Sequence, residues 1–294
     1  MEEKKRKEVY LFASFRGNGE EGLHLAYSHD SMYWSVLRGD DPFLKPSVGD
    51  KLMRDPCVIR GPDGIFHMTW TTGWADIGIG VAHSKDLITW SEQKFIPVMA
   101  NKPNACNCWA PEIIWNSEER IYMIYWASKV KGSFSMPNRS SSAESNHLIY
   151  YTATKDFKNY KRSKLLYNPG FSVIDATVIR NCNRYIMIIK DETENPPAKN
   201  LRISTSRKLA GPWSKATEPF SPRGLWVEGP AAIRVGNFWH VYFDIYQEQR
   251  YGIMRTKNFK CWEDISNRLK MPQGTRHGTV LRISGNILQG LLAK

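Results

Sequence analysis

The sequence predicts an all-β protein, a five-bladed β-propeller whose ring is closed by a C-terminal inner strand joining the N-terminal strands. Two internal repeats and one matched pair of defects predict it. The first repeat is a strand, a tight turn and an aromatic-bearing strand. It reads LHLAYSHDSMYWSVL, IGVAHSKDLITWSEQ, IYYTATKDFKNYKRS, LRISTSRKLAGPWSK and YGIMRTKNFKCWEDI. Its spacing of about fifty to sixty residues suits a propeller or array. The second repeat precedes most of these: RDPCVIRGPDGIFHMTWTT, WAPEIIWNSEERIYMIYWAS, VIDATVIRNCNRYIMIIKD and VEGPAAIRVGNFWHVYFD. A fifth copy, RHGTVLRIS, has no partner strand after it, and the N-terminal VYLFASF has no leading strand before it. Each end supplies what the other lacks, so joining them leaves no long exposed sheet edge.

The elements follow in order. Residues 1–7 form a basic tail, expected to be disordered. Blades of four strands each then fill a single domain spanning 1–294. Trp34, Trp90, Tyr160, Trp213 and Trp262 recur with the blades and are assigned to the core. Residues 131–147, KGSFSMPNRSSSAESNH, read as a polar loop within a blade, a place where function often resides. Only SGNILQGLLAK at the C-terminus looks helical.

Composition narrows the class. Hydrophobic residues are 41% and aromatics 12%, with 11 Trp, enough for a sizeable core. The formal charge of +12 is scattered, with one dense run at Lys4-Lys5-Arg6-Lys7. No nucleic-acid module is recognisable, so a solvated basic surface is the expectation and nucleic acid is not an expected partner. No run of 18 apolar residues predicts a membrane span. No leader-like segment is visible either, so the expectation is a periplasmic or secreted protein whose leader is absent from this chain, or a cytoplasmic one. The five cysteines are odd in number and irregularly spaced, and read mostly as buried small hydrophobes. Nothing in the sequence speaks to oligomeric state.

In a propeller the inner strands converge on one end of the axis. Aligning the five inner strands puts Asp55, Ala110, Asp175, Glu228 and His277 in one ring. Alone, Asp55 before Pro56 is a turn residue, Glu228 before Gly229-Pro230 a turn cap and His277 a core histidine. Together they are a cluster of acids whose pKa values must spread apart. One protonated and one ionised carboxyl is what a two-carboxylate hydrolase needs. Trp74, Trp109 and Trp226 flank the ring as sugar-stacking candidates, and Trp74 breaks the blade repeat. Glu112 lies two residues past Ala110 and reads as a supporting group.

The ordered set RDPCVI, NCWAPEIIW, VIDATVI, VEGPAAI and RHGTVLRI resembles glycoside hydrolase family 43, over about residues 8–284. The resemblance implies a five-bladed propeller enzyme that inverts anomeric configuration. It implies Asp55 as general base, Glu228 as general acid, and Asp175 as the group that orients the acid and keeps its pKa high. The chain departs from the pattern at Ala176, where Pro is common. Inversion implies catalytic carboxyls about 6.5–9.5 Å apart, with a water between. Lys190 and Arg276 are expected to donate to sugar hydroxyls. His277 matches a histidine that often lies near an axial ion, so a structural Ca or Na ion is an expectation, with none required for the chemistry. The implied partner is an oligo- or polysaccharide, cleaved by an α-L-arabinofuranosidase or β-xylosidase. An arabinanase or galactosidase on the same fold, a fructan hydrolase or phosphorylase, and a non-catalytic carbohydrate-binding propeller stand as alternatives.

Overall fold

The computed structural model describes residues 9–132 and 146–294. The basic N-terminal tail and most of the Ser-rich insertion lie outside these residues. Five sheets form a five-bladed propeller. The first blade contributes β1 (Val9–Ser14), β2 (His24–Ser28) and β3 (Ser35–Val36). The second holds β4 (Arg54–Arg60), β5 (Phe66–Thr71), β6 (Ile79–Ser84) and β7 (Lys94–Ile96). The third holds β8 (Trp109–Asn116), β9 (Ile121–Lys129), β10 (His147–Thr154) and β11 (Lys164–Tyr167). The fourth holds β12 (Val173–Asn181), β13 (Arg184–Asp191) and β14 (Asn200–Ser206). The fifth holds β15 (Glu228–Val235), β16 (Phe238–Ile245), β17 (Arg250–Thr256) and β18 (Glu263–Asp264). β19 (Thr279–Ile283) returns to the first blade, and α1 (Gly285–Leu292) follows.

Ring closure is as the two chain ends require. β19 pairs antiparallel with β1, from Val9 opposite Ile283 to Ala13 opposite Thr279. Burial explains the strand composition. A blade is covered on both faces by its neighbours, so its middle strands are buried along their length rather than on alternate residues. β5, FHMTWT, is buried at every position. The outermost strands β3 and β18 are exposed at both residues, short enough to offer little edge for foreign pairing. Aromatic rings join the blades. Phe12 of β1 makes edge contacts with Trp34, Tyr242 and Tyr251 at 5.6–5.9 Å, tying the first blade to the fifth.

The recurring turn has a hydrogen-bond reason. In SHDSMYW, Ser28 Oγ accepts from the Asp30 and Ser31 amides, and Asp30 Oδ1 from the Met32 and Tyr33 amides. Ser84 with Asp86, and Thr154 with Asp156, repeat the same bonds. Short polar side chains thus hold each tight turn between the third and fourth strands.

Two expectations are corrected. The fourth blade has three strands, not four. Its outer segment still follows β14, through Ser214, Thr217 and Phe220 amides bonded to Thr205, Ile203 and Leu201 carbonyls. Pro212, Pro219 and Pro222 remove three donors along it, so no regular ladder forms. The cysteines are all free, and only Cys57 and Cys108 are buried, while Cys182 and Cys261 sit exposed in turns. Among the described residues no helix is long and apolar enough to cross a membrane.

Candidate active site

The pocket is built by a bulge repeated at the start of the inner strands. Pairing skips from Arg54 to Cys57, from Trp109 to Glu112, from Ile174 to Thr177 and from Glu228 to Ala231. The first bulged residue has positive φ in each case: Asp55 at 51°, Ala110 at 46°, Asp175 at 52° and Gly229 at 59°. A bulge re-aims its side chain away from the strand's ordinary alternation. For Asp55 and Asp175 this conformation costs about 1–3 kcal/mol each, a strain characteristic of functional sites.

This register corrects the expected ring. Its members are Asp55, Ala110, Asp175, Gly229 and, from β19's entry, His277. Glu228 lies one residue earlier, level with Arg54, Trp109 and Ile174. Arg276 shares that level: its amide bonds the Phe15 carbonyl at 3.2 Å, and it lies three residues before Thr279, the partner of Ala13, as Arg54 lies three before Cys57. The signal was present in the prolines. Matching Pro56, Pro111 and Pro230 puts Gly229, not Glu228, opposite Asp55.

Asp55, Asp175 and His277 meet at the axis. His277 Nδ1 lies 3.3 Å from Asp55 Oδ1 and 3.8 Å from Asp175 Oδ2. Thr71 Oγ1 donates to Asp55 Oδ2 at 2.8 Å and accepts from the Ala110 amide at 2.8 Å. Burial pushes Asp55 up, but the His277 bond and charge, Arg54 and Thr71 outweigh it, holding Asp55 down at about 2. Asp175 accepts from the Gly229 amide at 3.0 Å. Burial and the nearby carboxylates dominate there, and its carboxyl rises to about 6. Burial alone would lower His277; Asp175, Asp55 and Glu112 reverse this and raise it to about 9. The axis therefore carries an imidazolium between a carboxyl ionised down to low pH and one that takes up its proton near pH 6.

Glu228 has different company. Lys190 Nζ donates to its Oε2 at 3.0 Å and Arg276 Nη2 to its Oε1 at 3.0 Å. Burial favours the neutral acid, but Lys190 first, then Arg276 and His277, hold Glu228 below its usual range. The expected upward push from Asp175 is thus overcome. Two cations in direct contact act more strongly than a carboxylate that makes no bond to Glu228. Lys190 is also engaged with Glu192 Oε2 at 2.8 Å, and Arg276 Nε with the buried Asp244 at 2.7 Å. Both residues expected to greet sugar hydroxyls are turned onto the acid instead.

The aromatic candidates line the rim on two sides. Trp74 is 51% exposed and meets Trp109 edge-on at 5.6 Å. Trp109 Nε1 donates to the Trp74 carbonyl, and its ring stacks on His147 at 4.7 Å. Trp226 lies near Tyr246 at 6.3 Å, on the Glu228 side. Glu112 is buried, accepts from Tyr125 Oη at 2.6 Å and is raised by burial to about 7.

Thr71 and Asp244 were missed by sequence reasoning. They stand opposite Arg54 and Glu228 at the ends of β5 and β16, the level at which Lys190 stands opposite Ile174. Pairing each hairpin on paper from its turn would have found them.

Gly229 admits the His277 ring. It has φ +59° and its Cα faces that ring closely enough that a methyl there would overlap it. Gly229→Ala should cost about 1–3 kcal/mol through overpacking, with strain added. It should also lower activity, because His277 and Glu228 must both shift. Urea unfolding beside a turnover assay checks both; a wild-type midpoint would show that the ring moves aside freely.

The donor set does not fit a metal held through His277 Nδ1. That nitrogen faces two carboxylates as a donor, and no group of three His, Cys, Asp or Glu among the described residues could hold an ion.

Fold and site define a class: a five-bladed propeller whose axis opens into a carboxylate-lined pocket rimmed by tryptophans. The family model described as a "probable glycosyl hydrolase domain", related to glycoside hydrolase family 43, matches residues 6–287. The chain belongs to this glycoside hydrolase family 43 group. A curated α-L-arabinofuranosidase of Bifidobacterium longum subsp. longum is 23% identical over 218 residues, 62% of this chain. The chain spans about a fifth of that relative, 20% of its length. A thermostable family-43 glycoside hydrolase has a similar fold, with TM-score 0.57, 16% identity and coverage of 76% of this chain and 78% of that one. An α-L-arabinofuranosidase from Lactobacillus brevis gives 0.54 at 17% identity, over 73% and 72% of the two chains.

Proposed function

We propose that this chain is an inverting glycosidase that removes terminal pentosyl groups from plant-type polysaccharides, α-L-arabinofuranosyl groups foremost and β-xylosyl groups second. One observation carries the reading: Asp55 and Glu228, on different blades, are brought to one end of the axis and held there by separate partners. Asp55 is fixed by Thr71 and His277 and stays ionised, which suits a base that takes a proton from water. Glu228 lies between Lys190 and Arg276, near Trp226, and is the candidate acid for the departing oxygen. Asp175, bonded to the Gly229 amide, fixes the backbone that carries Glu228. A water O–H bond breaks toward Asp55 as that oxygen bonds the anomeric carbon; the glycosidic C–O bond breaks on the opposite face, its oxygen takes a proton from Glu228, and the free sugar is released with inverted configuration. The name of the curated relative favours arabinofuranosyl over xylosyl.

Release of p-nitrophenol from the α-L-arabinofuranoside and the β-D-xyloside tests this, with proton NMR of the first-formed anomer. Turnover of one glycoside with inversion supports the proposal. Retention of configuration would rule out the two-carboxylate, single-displacement scheme. Turnover of neither, and of no arabinose-bearing polysaccharide, would shift the weight to a carbohydrate-binding propeller.

A further inference from the structure

Arg54 immediately precedes Asp55, and its charge helps keep that carboxyl ionised, but its guanidinium bonds none of the proposed catalytic groups. Its guanidinium lies 4.2 Å from the Trp74 ring centre and 4.8 Å from that of the buried Phe15. Nη1 donates to the Asn18 carbonyl at 3.2 Å and to Asn18 Oδ1 at 3.0 Å. The same Oδ1 accepts from Trp74 Nε1 at 3.1 Å. The guanidinium is therefore clamped by two rings and held at one nitrogen. Nε and Nη2 have no partner among the described residues, and no carboxylate there forms an ion pair with the group. Asp55 and Glu20 feel its charge without bonding it.

Its counterparts at the same level of the propeller show what is unusual. Arg276 is fully engaged, bridging Glu228 and Asp244. Glu228 is likewise saturated by two cations. Arg54 alone of these three charges keeps an open fork, beside an exposed tryptophan. We propose that Arg54 receives a hexuronate carboxylate, so that the sugar removed is carried on a uronate-bearing polysaccharide. This rests on the glycosidase reading above.

Three physical points support a carboxylate over a neutral hydroxyl. The planar guanidinium matches a carboxylate through two parallel N–H bonds, which a single hydroxyl cannot use. Stacking between rings fixes the plane beforehand, so little side-chain freedom is lost on binding. The +12 charge of the chain draws a polyanion toward it and does nothing to attract a neutral polymer.

The test uses two polymers: glucuronoarabinoxylan and galacturonate-bearing pectic arabinan. Each is offered native and after carbodiimide–borohydride reduction of its carboxyls. Wild type should show kcat/KM at least about ten-fold higher on one native polymer than on its reduced form. Which pair shows it tells glucuronate from galacturonate. Arg54→Gln should bring that ratio close to one, and Arg54→Lys should keep part of it, since it retains charge and loses the fork. A wild-type ratio near one on both pairs overturns the inference. So does an Arg54→Gln variant that keeps the wild-type ratio. If no aryl glycoside or polymer is cleaved, the glycosidase reading fails separately. The same native-to-reduced ratio is then read as calorimetric Kd, with the same outcomes deciding. If Arg54→Gln does not fold, the wild-type and Arg54→Lys ratios carry the decision.

Discussion

Asp55→Asn will lower turnover of aryl and natural glycosides alike, by about 10²–10⁴-fold, the usual contribution of a positioned general base. The amide keeps the size of the carboxyl and can still meet Thr71, so the fold should tolerate it. It cannot take a proton from water, and it removes one of the two charges facing His277. Glu228→Gln gives a different pattern. Aryl leaving groups need little acid assistance, so its loss should be far larger on polysaccharide than on p-nitrophenyl glycoside. A variant pair in which Asp55→Asn keeps wild-type turnover on both substrates would remove Asp55 from the base role. Equal losses for Glu228→Gln on both substrate types would argue against Glu228 as the acid.

Lys190→Met carries the second large effect, on stability and on pH dependence together. Lys190 is 2% exposed and pairs with Glu228 and Glu192. Removing one partner of a buried ion pair leaves an uncompensated charge, at about 3–5 kcal/mol. Arg276 remains on Glu228 and Lys199 on Glu192, at 2.6 Å, so the lower end is expected. Urea unfolding at pH 7 reads it. The pH effect has a definite sign. Lys190 lowers the Glu228 pKa, so the acid loses its proton early as pH rises. Without Lys190 the Glu228 pKa rises, the acid stays protonated to higher pH, and the alkaline limb of kcat/KM moves up. Asp55, held at about 2, sets the acidic limb far below and should leave it unmoved. An alkaline limb that stays where it was would mean that another group sets it.

The repeat made the architecture readable. Strand pairs at regular spacing, with complementary defects at the two ends, leave few topologies that bury every apolar strand and hide every edge. Asp55, Asp175 and His277 were equally readable, because residues at matching places in a repeat must converge on its axis. Glu228 was found but misplaced by one residue. Its Gly-Pro was aligned past the Asp-Pro of the second blade, and a bulge displaces the chain by just that step. The fourth blade's missing strand was hidden because prolines weaken a ladder without erasing the sequence pattern of a strand.

The sequence by itself determined the propeller, the closure of its ring and the acids that gather at its axis. Those follow from periodicity, which any chain with these repeats must satisfy when it buries its apolar faces. Only the tertiary structure decided how the protons are shared. Whether Glu228 is held neutral or ionised depends on whether Lys190 and Arg276, distant in sequence, reach it before Asp175 does. The open fork of Arg54 was decided in the same way, since Phe15 and Asn18 come to it from the loop after β1 and Trp74 from the loop after β5. Electrostatic interaction at 3 Å is set by side-chain placement to within an ångström, and no spacing along the chain encodes that.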